Sequence, residues 1–236
     1  MLRINNLSKL FNNKKVLNNI SLNVRLGEIA LLVGPSGVGK STLLRILNNL
    51  ETADSGTIEF DDQIIDLEQS NHLFGMVFQQ FNLFENMTVL ENITFPLEKA
   101  LGMSNALAQQ KARELLAQYD LADKETMYPS QLSGGQKQRL ALARTIAIES
   151  KIICMDEPTS ALDPLLTNYV ANSIQQLANQ QLSVIVASHD TQLIQKLVCT
   201  LYLMNNGEIV EKASSEDFRN SPAAYPLLYN FVRGNR

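Results

Sequence analysis

Residues 34–41 read GPSGVGKS, three glycines spaced around two turns and followed by a lysine and a serine. Glycine enters left-handed backbone conformations without steric cost. Gly34, Gly37 and Gly39 therefore let successive N–H groups face one anion. A helix opening near Lys40 adds the positive end of its dipole. In such a loop Lys40 reaches the β and γ phosphates of a nucleotide, and the Ser41 hydroxyl ligates Mg²⁺. Thr42 bonds a neighbouring phosphate, and Ser36 lies inside the loop itself. The pattern specifies a phosphate-binding loop and leaves kinases, GTPases and motor ATPases open.

A second chemical cluster follows an apolar strand. Residues 152–158 read IICMDEP, so the strand delivers Asp156 and Glu157 to its carboxyl end. Ligands collect at that edge in open α/β sheets. Neighbouring strand residues face opposite ways, which predicts separate roles for the two acids. Asp156 is placed to hold Mg²⁺, directly or through water. Glu157 is placed to orient and deprotonate an attacking water. His189 follows a further apolar strand, SVIVAS, where a donor would meet a γ phosphate or that water. His72 lies in a polar stretch and reads as a surface residue.

The elements that must position these groups are legible from hydrophobic period. Leu2–Leu7 and Val16–Val24 alternate apolar and polar residues, and Glu28–Val33 (EIALLV) reads as a buried strand ending at the glycine loop. Gly56–Phe60 and Phe74–Phe78 read as further strands. From Asn82 to Gln131 the chain turns helical, with apolar residues at helical spacing between Ser104 and Tyr119. Another helix is predicted from Gly134 to Glu149. Strand and helix then alternate: Ile152–Met155, a helix start at Asp163-Pro164, Val184–Ala187, and a short helix after Asp190. Asn206-Gly207 marks a hairpin between Thr200–Met204 and Glu208–Val210. The expected fold class is α/β: a mainly parallel sheet covered by helices, with an antiparallel β element on the N-terminal side.

Composition bounds the remaining options. The 236 residues suffice for one or two domains with a core that needs no staples. Lys plus Arg is 20 and Asp plus Glu is 24, a net charge of −4 that argues against a nucleic-acid partner. Cys154 and Cys199 form no metal spacing and read as buried thiols. No signal peptide is visible, and no run approaches the ~18 apolar residues of a spanning helix. Work at a membrane would need another chain to hold this one there.

Residues 132–136 read LSGGQ and continue as KQRLALAR. This string resembles the signature motif of the ABC ATPase family, and its place between the glycine loop and IICMDEP is the family's order. Ser133, Gly134 and Gly135 open a helix, so hydroxyl, N–H groups and dipole offer a second anion site. The resemblance runs almost end to end and implies a single ABC ATPase domain over 1–236. Within it, a nucleotide core with the antiparallel β region would cover about 1–81 and 136–236, and a helical subdomain about 82–135.

The resemblance also implies roles. Phe11 matches the aromatic that stacks on adenine, where many members carry Tyr, and Val16 matches a neighbouring apolar contact. Gln79, in MVFQQFNLF, matches the glutamine that meets nucleotide and metal. Gln136 closes the signature, Asp163 ends the SALD loop that begins at Ser160, and His189 matches the switch histidine. ATP and Mg²⁺ are the implied ligands, with each ATP between one subunit's glycine loop and the other's LSGGQ in a head-to-tail homodimer. The stretch FQQFNLFENMTVLENITFPL resembles importers for polar amino acids. The implied partners are membrane permease subunits and, indirectly, a substrate-binding protein, with the chain cytoplasmic and peripheral on the inner membrane face. Two departures, Leu165-Leu166 after Pro164 and TQLIQKL after SHD, touch the substrate subclass and leave the ATP chemistry intact. The alternative within the family is an ATPase doing mechanical work on an envelope complex.

Overall fold

The computed structural model describes residues 1–70, 72–160 and 167–234. Among these residues, ten strands form two sheets. In the first, β1 (Leu2–Phe11), β2 (Lys14–Val24), β4 (Ser55–Phe60) and β5 (Gln63–Ile64) lie antiparallel in the order β2-β1-β4-β5. In the second the order is β10-β9-β3-β8-β7-β6: β3 (Ile29–Val33), β6 (Phe74–Val77), β7 (Ile152–Asp156), β8 (Ser183–Ser188), β9 (Thr200–Asn205) and β10 (Glu208–Ser214). Only the β9–β10 hairpin is antiparallel there.

The strands of the second sheet are apolar because both faces are covered. Ala30 and Leu32 of β3 face a core shared with α1 (Lys40–Leu47) and the first sheet, while Ile29, Leu31 and Val33 face the helices opposite. Those helices are α2 (Val89–Leu101), α3 (Asn105–Gln118), α4 (Gly134–Ala147) and α5 (Thr167–Asn179). Short helices α6 (Thr191–Lys196), α7 (Ser215–Asn220) and α8 (Pro226–Val232) complete that layer. Cys154 and Cys199 fall in different cores, on opposite sides of the sheet. They are free buried thiols, and burial pushes both up to about 12.

β1 and β10 run furthest beyond their expected spans, to Phe11 and Ser214. β1 continues to Phe11 because bulges between Ile4 and Leu10 reset its register, with Asn6 left-handed at φ 50°. These breaks scramble the period-2 signal beyond Leu7. The predicted helix start at Asp163-Pro164 lies outside the described residues. Among the described residues, no helix is long and apolar enough to cross a membrane.

Candidate functional site

Four neighbouring strands end at one edge. Val33 of β3 aligns with Ser188 of β8, Ala187 with Asp156 of β7, and Met155 with Val77 of β6. The glycine loop, His189, Glu157 and Gln79 each leave that edge within two residues of a strand end. They surround a cavity of about 260 Å³ lined by Val16, Ser36, Gly37, Gly39, Lys40, Ser41, Thr42, Gln79, Glu157 and His189.

The loop is built for an anion. Gly34, Gly37 and Gly39 have φ of 151°, 81° and 107°. A Cβ on Gly34 would lie 2.3 Å from the Met204 carbonyl oxygen, and one on Gly39 would lie 2.5 Å from that of Val16. Nothing lies within 4 Å of a Cβ position on Gly37, which faces open space. Gly207 in the β9–β10 turn also approaches Val16 closely, since a Cβ there would meet the same oxygen at 2.7 Å. Gly207 was legible in the sequence only as a turn residue, because the approach of β2 is a tertiary event.

The N-terminus of α1 carries no side-chain cap and no acid in its first turn. By contrast α2, α4, α6 and α7 are capped by Thr88, Ser133, Asp190 and Ser214. Uncapped N–H groups at a glycine loop favour an external anion. Lys40 Nζ meanwhile donates to the carbonyls of Gly34 at 2.7 Å and Pro35 at 3.0 Å, with Glu157 Oε1 at 3.8 Å. Burial pulls the Lys40 ammonium below its ordinary value, partly offset by Glu157 and Asp156. Its carbonyl partners hold a buried charge ready for phosphate.

The two acids separate by a backbone turn rather than by the pleat. β7 ends at Asp156, and Glu157 is left-handed at φ 48°, a strained conformation of the kind found at functional sites. Asp156 Oδ1 accepts from the Ser41 hydroxyl at 2.7 Å. Glu157 Oε2 lies 2.8 Å from His189 Nδ1 and accepts from the His189 N–H at 3.3 Å. A carboxylate accepts only, so Nδ1 carries the proton and the second ring nitrogen stays available. Ser188, which sequence reasoning passed over, donates its hydroxyl to Glu157 Oε2 at 3.5 Å and accepts from the Asp190 N–H at 3.0 Å. Its signal was the Ser-x-Asp turn that starts α6.

The donor set fits a hard cation. A hydroxyl and a carboxylate in contact are oxygen ligands of the sort Mg²⁺ takes when substrate phosphates supply the rest. Burial raises the Asp156 carboxyl above its usual range, with the Ser41 hydrogen bond opposing the rise. A raised carboxyl supports the fold while protonated, and that support is lost as pH climbs through its folded-state value. Asp156→Asn keeps the acceptor for Ser41 and removes the charge. It is expected to raise the unfolding midpoint of the nucleotide-free chain at pH 7 by about 2–4 °C, the response of such a domain to about 1 kcal/mol. Thermal unfolding with and without Mg²⁺ and ATP checks this: the gain should vanish when both are present, and an unchanged or lower midpoint without ligand would contradict it.

Other nominated residues lie elsewhere. Phe11 is at the exposed end of β1, its ring 5.0 Å from Lys9 Nζ and outside the cavity lining. Ser133 caps α4, accepting from the Gln136 N–H at 3.3 Å, while the Gln136 side chain accepts from the Ser133 N–H at 2.8 Å. Gly134 is the first residue of α4. Ser133, Gly135 and Gln136 line a second cavity of about 300 Å³ with Asp120, Gln138, Arg139 and Tyr169. The two cavities share no residue. Asp163 lies outside the described residues.

Comparison with known proteins places this geometry. The family described as "ABC transporter" matches residues 17–160. The glutamine transport ATP-binding protein GlnQ of Escherichia coli is 40% identical over 96% of this chain and 97% of its own length. The L-cystine transport system ATP-binding protein TcyN of the same organism is 42% identical over 91% of this chain and 90% of its own. Among solved structures, the dimeric post-hydrolysis state of the ATP-binding cassette MJ0796 bound to ADP and Pi superposes with a TM-score of 0.80. It is 31% identical and covers 91% of this chain and 99% of its own.

Proposed function

The chain belongs to the ABC transporter family, and from that premise we propose that it is the ATP-hydrolysing subunit of an uptake system for a polar amino acid, working as a head-to-tail homodimer. The observation that carries the dimer is the separation of two cavities that the family resemblance assigns to one nucleotide. One surrounds Lys40 and the other opens at Ser133, and no lining residue is common to both cavities. A second copy would bring its α4 N-terminus to the first copy's glycine loop. The stretch about 82–135 is read as a helical subdomain whose C-terminal end, at Ser133 and Gly135, reaches this second cavity.

The reaction converts ATP and water to ADP and phosphate. N–H groups of the loop from Ser36 to Ser41 and the Lys40 ammonium hold the β and γ phosphates. Lys40 exchanges its Gly34 and Pro35 carbonyls for phosphate oxygens. Ser41 and Asp156, with Gln79, would hold Mg²⁺, which would neutralise developing charge on the transferring phosphoryl group. Glu157 orients the attacking water and takes its proton on a carboxylate oxygen. His189 Nδ1–H and the His189 N–H fix that carboxylate, which pre-organises the base. Phe11 and Val16 take the adenine end, and Gln136 and Asp163 contribute from the partner side of the interface.

Transport of glutamine and of cystine by the two relatives supports a polar amino acid as cargo. Permease subunits would hold the chain on the inner membrane face, and a substrate-binding protein would feed them. Ser133→Arg tests the shared site. The variant loses the cap of α4, about 1 kcal/mol, and fills the second cavity with a guanidinium. It is expected to bind ATP like the parent chain and to stay monomeric on a sizing column with ATP. An ATP-driven dimer of Ser133→Arg would overturn the shared-site reading.

A further inference from the structure

Arg144 sits one turn before the C-terminal end of α4, the helix whose N-terminus carries Ser133. Its Nη1 donates to the Asn82 carbonyl at 2.7 Å and its Nη2 to the Phe81 carbonyl at 3.0 Å. Its guanidinium lies 5.3 Å from the centroid of the Phe84 ring. Burial holds this guanidinium below its ordinary value, and among the described residues no carboxylate pairs with it. Even a half-buried cation without a counter-charge has a desolvation cost that its hydrogen bonds must offset. A fork that reaches two successive carbonyls and stacks on a ring is something only arginine supplies.

The segment it holds is strained. Phe81 and Asn82 are both left-handed, at φ 61° and 47°. Two consecutive residues with a Cβ in that region cost roughly 1–2 kcal/mol each in backbone strain, and a phenylalanine has no side-chain bond to offset it. The local bonds of the turn, Phe81 N–H to Phe78 at 3.0 Å and Asn82 N–H to Gln80 at 2.7 Å, close it on itself. Gln79 lies inside this turn and lines the nucleotide cavity.

We propose that Arg144 is the positioning residue for Gln79: its fork clamps the Phe81 and Asn82 carbonyls and so sets how far the glutamine enters the nucleotide cavity. The clamp ties the turn to α4, which is about 21 Å long at 1.5 Å per residue. One helix therefore joins Ser133 to the turn that carries Gln79. The positioning role rests on the reading of Gln79 as a nucleotide and metal contact.

The test is a double-mutant cycle on steady-state ATPase of the full chain, with Gln79→Ala, Arg144→Lys and the double variant, at several Mg²⁺ concentrations. Arg144→Lys keeps the charge and loses the fork. It is expected to lower kcat about tenfold with the KM for ATP within about twofold, and to raise the Mg²⁺ needed for half-maximal rate. The double variant is expected to be no slower than Gln79→Ala alone, which a merely structural role for Arg144 would not produce. Multiplying losses, or full turnover in Arg144→Lys, would overturn the positioning role and leave the Gln79 reading standing. Normal turnover in Gln79→Ala would overturn that reading itself, and the positioning role with it. If Arg144→Lys does not fold, Phe84→Leu removes the stacking face while leaving the guanidinium in place. It is expected to show the same kcat-only loss at smaller amplitude, and unchanged turnover there would overturn the proposal.

Discussion

Glu157→Gln is expected to bind ATP within about twofold of the parent chain and to lose turnover by about 10²- to 10⁴-fold, the usual contribution of a positioned base. The substitution keeps the shape of the side chain and one acceptor oxygen for His189, the amide Oε1. It removes the carboxylate that takes the proton from water. Because hydrolysis is what lets the two halves part, the variant should accumulate as an ATP-bound dimer. Sizing with ATP and a single-turnover assay read both effects. The geometry gives the prediction its sharpness: Glu157 is the acid whose oxygens lie 2.8 Å from His189 Nδ1 and 3.8 Å from Lys40 Nζ. Asp156 instead holds the Ser41 hydroxyl at 2.7 Å. Near-normal turnover in Glu157→Gln would remove it from the role of base.

Lys40→Ala should act at the earlier step. Truncating one partner of a desolvated charge pair costs about 2–5 kcal/mol in binding. At about 3 kcal/mol the dissociation constant for ATP rises about 150-fold. The fold itself should hardly notice. Burial disfavours the Lys40 ammonium in the nucleotide-free chain, so losing it relieves a penalty while leaving two carbonyls to water. A titration with a fluorescent ATP analogue beside thermal unfolding separates the two. Unchanged affinity would sink the phosphate-loop reading, and a collapsed fold would show that Lys40 is structural.

Much of this site was readable because it lies at strand ends. Apolar runs such as IALLV and IICM announce buried parallel strands, and whatever follows them arrives at one sheet edge. Ser36, Gly37, Gly39, Lys40, Ser41, Thr42, Glu157 and His189 were nominated in that way, and the structure gathers them around one cavity. Gln79, Val16 and the signature residues came through family resemblance, since a lone glutamine after a short strand has no period or spacing of its own. Ser188 escaped because its hydroxyl matters only through Glu157, 31 positions away. The span of β1 escaped because bulges broke its alternation. The C-terminal helices escaped for a further reason. α7 and α8 are too short to show a period, and α8 is anchored at long range, the Leu228 N–H donating to Glu211 Oε2 at 2.7 Å.

The Val16 carbonyl, approached closely by both Gly39 and Gly207, works as a shim. A single carbon added to either glycine would come within 2.5 or 2.7 Å of it, so neither can take a side chain without a shift. The Asn18 N–H bond to the Gly207 carbonyl at 2.8 Å pins the same layer against sliding. The sheet that carries Phe11 and Val16 and the loop that carries Lys40 therefore behave as the fixed jaws of a calliper. Its gap is set by the fold before any ligand arrives. Motion during a catalytic cycle is then expected in the parts mounted beyond those jaws.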